Sequence, residues 1–175
     1  MSLDKDFDVG MVLERLTEMP SKILLHHEAQ DLPHIILHDL SHDDIFGLDK
    51  AVYLIDNPDF DCLKGVAGYS RDECKFHKND IWQDPYCFHS DMQHADFSSK
   101  LKQFLRNGLK RNDINTHNDS DLVELGESLG LKNPGFLTWQ MRHGNHGILI
   151  FETNEQFLEK KQNLLKHAAP LLSLC

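Results

Sequence analysis

Near the start of the chain the apolar positions recur at the helical period: Val9, Val12, Leu13 and Leu16 follow Asp8, which is placed to cap the first turn. The pattern predicts a short amphipathic helix that Pro20 stops at Met19, because the residue before a proline is disfavoured in the helical region. Positions 23–26 and 34–39 are short, apolar, partly β-branched runs joined by Gln30-Asp31-Leu32-Pro33. They read as a hairpin, with a helix from Pro33 onward as the competing reading. Ser41 with Asp44 has the form of a capping box opening a helical turn, and positions 51–56 read as a strand closed by Asn57-Pro58.

Between positions 59 and 96 periodicity disappears while Cys, His, Asp, Gly and aromatic residues crowd together, which predicts a long loop-rich excursion. Loops of that length need something to hold them. Regularity returns at 97–109, where Leu101, Phe104, Leu105 and Leu109 form one helical face and Lys102, Arg106 and Lys110 another. Asp121 with Glu124 starts a further helix, with Leu122, Leu125 and Leu129 as its stripe before Gly130. After the turn Asn133-Pro134-Gly135, positions 136–142 and 148–152 form the clearest hairpin, joined by His143-Gly144-Asn145-His146-Gly147. Thr153 and Gln156 then cap a helix whose Phe157, Leu164, Leu165 and Ala168 face one way until Pro170.

Strand hairpins segregated from helices predict an α+β fold: an antiparallel sheet built from hairpins, with helices packed mainly on one face. A length of 175 residues is near the commonest size for one globular domain, so residues 1–175 are read as a single unit.

Charge and composition narrow the function classes. Against 18 Lys and Arg stand 28 Asp and Glu, a formal charge of -10, which disfavours non-specific attraction to nucleic acid or anionic lipid. The N-terminus, with Asp4, Asp6 and Asp8 and no apolar run, is unlike a targeting segment, and no apolar run approaches the roughly 18 residues of a membrane span. A cytoplasmic protein without nucleic-acid or membrane partners is therefore expected, its 4 cysteines reduced. Gly65 and Gly68 lack the spacing and the following Lys-Ser/Thr of a phosphate loop, so no nucleotide cofactor is indicated. The apolar tail Leu171-Leu172-Ser173-Leu174-Cys175 either packs on the core or meets a protein partner or a second copy in a homodimer.

The unusual number is 12 histidines. Cys74-x2-His77 and Cys87-x-His89 supply four borderline-soft ligands within the excursion, with Asp91 and His94 as alternates. Zinc or another divalent transition metal held there would pin that segment, although one intervening residue is tighter than the usual two to four. A second group is His34, His38-Asp39 and His42-Asp43; on a helix its histidines would stack about 6 Å apart, on a strand they could not share an ion. Leu37-His38-Asp39-Leu40 resembles the His-Asp dyad of HD-type metal-dependent phosphohydrolases, which implies a metal that activates water. That family is all-helical, whereas Ile35 and Ile36 favour a strand. His143 and His146 flank the second hairpin tip and could join a metal or act as acid and base. His117 and His167 stand alone. Three functions follow as expectations: a small binding or regulatory protein with a metal-pinned loop, a metal-dependent hydrolase using His38, Asp39, His42 and Asp43, and a metal-free acidic interaction module.

Overall fold

A computed structural model describes residues 7–74, 80–108, 111–113, 116–153 and 159–174. The fold is α+β, with a five-stranded antiparallel sheet as its centre. Helix α1 (Val9–Leu25) starts where the sequence places it, Asp8 accepting a hydrogen bond from the Met11 amide, but it does not stop at Met19. Pro20 lies inside it. A proline there removes one backbone donor, and the helix continues because Met19 and Ile23, on either side of Pro20, are both buried.

The hairpin read over 23–26 and 34–39 is replaced by two helices, the second of them the competing reading of a helix from Pro33. Residues 23–25 finish α1, and α2 (Leu32–Ser41) carries Pro33 in its first turn. Nine of the ten α2 residues are buried. A short run apolar on every side does not distinguish a buried strand from a buried helix, and here packing overrides the β-branched pair Ile35-Ile36. Ser41 closes α2 rather than opening a new helix; turns follow at 43–46, and Gly47 has φ +62.

Strand β1 (Lys50–Asn57) is as predicted, but the expected loop excursion contains the longest strand, β2 (Cys62–Ser70). Its alternation is broken by a bulge, since Tyr53 pairs with Ala67 while Leu54 pairs with Gly65, leaving Val66 without an opposite residue. Its glycines serve close packing. Gly65 lies beneath the Leu101 carbonyl, and a Cβ on Gly68 would stand 3.3 Å from Ser98 Cα. Among the described residues that follow, the excursion also holds α3 (Pro85–Met92) and the start of α4 (Asp96–Lys102). The helix expected over 97–109 ends early because the sheet edge claims the following segment: Gly65 donates its amide to the Phe104 carbonyl, and β3 (Leu105–Asn107) pairs with β2.

Strands β4 (Arg111–Asp113) and β5 (Thr116–His117) form a separate two-stranded ribbon. Helix α5 (Asp119–Ser128) is capped by Asn118, one turn before the Asp121 box suggested, and Gly130 follows with φ +84. Strands β6 (Gly135–Gln140) and β7 (His146–Glu152) make the hairpin expected there, and α6 (Glu159–Ala168) follows. Gln156 and Phe157 lie outside the described residues.

The sheet order is β3-β2-β1-β7-β6. Period-two alternation along β1 and β7 sends residues to two cores. Ala51, Tyr53, Leu149 and Phe151 join the larger one with α1, α2, α3 and α6, while Val52, Leu54, Ile148 and Ile150 join a smaller one with Leu101, Leu122 and Leu125. The C-terminal turn at Ala169–Ser173 adds Ala169 and Leu172 to the larger core, and Leu174 is exposed. Among the described residues, no helix is long and apolar enough to cross a membrane.

Candidate metal centre

The alternation that builds the smaller core also delivers polar residues to its rim. Asp56 continues the Val52 and Leu54 stripe of β1, and His146 begins the Ile148 and Ile150 stripe of β7. The two strands pair so that Asp56 and His146 are direct cross-strand neighbours. His117 reaches them from β5, immediately before the α5 cap, and α5 is anchored by Leu122 and Leu125 in the same core. A carboxylate and two imidazoles from three strands thus converge.

All three are buried, Asp56 at 1%, His146 at 3% and His117 at 5% exposure. His117 Nε2 lies 2.8 Å from Asp56 Oδ2, and the two imidazole rings meet edge to face with centroids 5.2 Å apart. One ligand atom from each residue lies within 4.8 Å of those of the other two, and no other group of three or more such side chains does so among the described residues. His117 Nδ1 is buried without a hydrogen-bond partner among the described residues. The Gly108 backbone closes one side: a Cβ there would stand 3.1 Å from Asp56 Oδ1 and 2.9 Å from Asp61 Oδ1. This group could hold a metal ion. Two imidazoles and one carboxylate suit first-row transition metals and leave coordination positions open. Without an ion, a proton on His117 Nε2 satisfies Asp56; an ion would take that proton's place.

The cysteine-histidine set does not assemble this way. Cys74 Sγ donates to the Ser70 carbonyl at 3.1 Å and lies 3.4 Å from His38 Nδ1. Burial, followed by the charge of Glu73, pushes its thiol up to about 12, so it stays protonated. Cys87 is exposed and faces Asp91 at 3.8 Å, and the Asp91 charge is the main cause raising its thiol. His89 pairs with Asp31, and His94 is exposed. His77 lies outside the described residues.

The second group divides in the same manner. Helix α2 does bring His34 and His38 together, rings edge to face with centroids 4.7 Å apart, but both rings also pack against Phe88, His34 Nε2 meets Ser98 Oγ and His38 meets Cys74. Asp39 turns away to accept from Arg15 and from Trp82 Nε1, each at 2.8 Å. His42 lies past the helix end beside Asp44, and Asp43 pairs with Arg71 at 2.7 Å. At the hairpin tip His143 is exposed while His146 is buried, so only His146 of that pair enters the centre.

Asp31 carries a measurable consequence. Burial alone would raise its carboxyl, but hydrogen bonds and charges from Lys102 and His89 outweigh this and hold it below its ordinary value of 3.8. A carboxyl lowered by folding contributes stability that is fully present above its unfolded value and is lost as pH falls through its folded value. Urea denaturation of the wild type and Asp31→Asn is therefore expected to differ most above pH 3.8, the gap closing below it. A gap unchanged at low pH contradicts the assignment.

Comparison with family models, with curated proteins and with solved structures finds no match to this chain. Its function is therefore argued from this geometry alone.

Proposed function

We propose that the protein is a small binding or regulatory protein carrying one divalent transition-metal ion, zinc foremost, on Asp56, His117 and His146. The observation that supports the reading is the burial of this donor set, each member at most 5% exposed, where three strands meet. Polar groups are costly to bury, and a shared cation offsets that cost for a carboxylate and two imidazoles together. Imidazole with carboxylate is a borderline donor set that zinc, iron and nickel accept, whereas calcium and magnesium favour oxygen alone. Bound there, the ion would tie the β4–β5 ribbon to the central sheet, and its Lewis acidity would polarise any further ligand it accepted.

Elemental analysis of the purified, zinc-loaded chain after desalting is the direct test. About one equivalent is expected, retained in Cys87→Ser because Cys87 stands apart on α3. Affinity should fall as the medium is acidified, because protons compete with the ion for the carboxylate and imidazole donors. No saturable binding, or binding lost in Cys87→Ser, refutes the assignment.

A further inference from the structure

The tip of the β6–β7 hairpin and the C-terminal turn enclose a cleft of about 830 Å³. Small-molecule sites commonly occupy roughly 300–1,000 Å³. The apolar wall is built on Trp139, whose indole is held on several sides. It stacks on Tyr53 with centroids 5.7 Å apart and planes 14° apart, and its Nε1 donates to Ser173 Oγ at 2.6 Å. It also lies against Gly147, where a Cβ would come within 2.2 Å of the ring. The part of the ring that lines the cleft is therefore ordered before a ligand arrives.

The polar side of the cleft reverses the charge of the molecule. The whole chain carries -10, yet Arg142 and His143 stand at the cleft and none of its described lining residues is acidic. Arg15 is committed to Asp39, and Arg71 to Asp43 and Asp49. Arg142 has no ion pair among the described residues and is exposed. His143 adopts φ +59 and Gly144 φ +71, a left-handed pair that turns the hairpin tip over the cleft. Residues other than glycine are uncommon in that region, and such strain concentrates at ligand sites. Asn145, also in the lining, has a side-chain oxygen that is buried with no hydrogen-bond partner among the described residues. A carboxylate in the cleft would be met by the other end of that amide, the Nδ2 donor.

We propose that this cleft binds a small planar carboxylate, its ring laid on Trp139 and its carboxylate paired with the Arg142 guanidinium and the Asn145 amide. A guanidinium matches a carboxylate with two parallel N–H donors, which gives orientation as well as affinity. The site is separate from the metal centre and does not depend on it: Trp139 faces the larger core, whereas His146 borders the smaller one.

Calorimetric titration of the full chain with naphthoate, and with naphthylmethylamine as the cationic counterpart, tests the proposal. Naphthoate is expected to bind saturably at one site and to quench tryptophan fluorescence, and the amine is expected not to bind. Arg142→Ala should weaken naphthoate at least about tenfold with the melting temperature unchanged, because the side chain is exposed. Arg142→Lys should recover only part of the loss, since an ammonium lacks the planar fork. Absence of saturable naphthoate binding, equal affinity in Arg142→Ala, or equal binding of the amine overturns it.

Discussion

Replacing His117 by alanine is expected to remove stoichiometric metal binding while leaving a folded chain. His117 donates from the β5 side of a centre whose other members, Asp56 and His146, are fixed by sheet pairing. Losing an outer-shell partner of a metal ligand typically costs about 10–100-fold in affinity, so losing a direct donor should cost at least about 100-fold. That is about 2.7 kcal/mol of binding free energy. The substitution also removes the buried 2.8 Å bond to Asp56, whose loss should lower stability by about 1–3 kcal/mol even without metal. His143→Ala is the matched control, because His143 is exposed at the neighbouring hairpin tip. Competition against a chromophoric chelator should show wild-type affinity for His143→Ala and little for His117→Ala. Unchanged affinity in His117→Ala would falsify the placement of the ion.

Gly65→Ala should be the most damaging small substitution in the sheet. Its Cβ would stand 2.0 Å from the Leu101 carbonyl oxygen and 3.0 Å from its carbonyl carbon, both backbone atoms that cannot rotate aside. Helix α4 must then lift from β2, exposing Leu101 and loosening Ser98, whose hydroxyl donates to the Gly68 carbonyl at 2.8 Å. Overpacking commonly costs about 1–3 kcal/mol, and a clash with backbone belongs at or beyond the upper end. A loss of about 3 kcal/mol is a large part of the roughly 5–15 kcal/mol that holds a domain together. Gly130→Ala supplies the comparison: its φ of +84 strains an alanine by about 1–2 kcal/mol, but nothing lies within 4 Å of the added atom. Urea midpoints should separate the two clearly, and equal costs would contradict the close approach of α4 to β2.

What the sequence could disclose follows the range of the interactions involved. The β6–β7 hairpin was legible because its turn residues are local, and β1 because Asn57-Pro58 ends it. The fold class survived for the same reason. Helix α2 matches the competing reading of a helix from Pro33 rather than the hairpin, because a run buried all round carries no periodicity to decide between them, and β2 is hidden because Gly65, Gly68 and the bulge at Val66 answer to α4 and β1, both distant in sequence. The centre was the least legible part. His146 stands out by its place at a hairpin turn, but Asp56 reads as the end of a strand and His117 as an isolated polar residue. The pairing of β1 with β7, some ninety residues apart, joins Asp56 to His146, and His117 arrives from a separate ribbon. The dense Cys74 to His94 stretch drew attention by composition, yet composition does not measure distance.

The depth of the Asp56–His117–His146 group also has a kinetic side. With Gly108 lying across Asp56 and each donor nearly shut off from water, an ion would have to displace part of this cover to reach the centre. Something must open first. A two-stranded ribbon is marginally stable by itself, so opening of β4–β5, which carries His117, is one route by which the centre would be exposed. Exchange at the centre would then be timed by that ribbon, so that two chains of equal affinity could differ widely in how long each retains its ion.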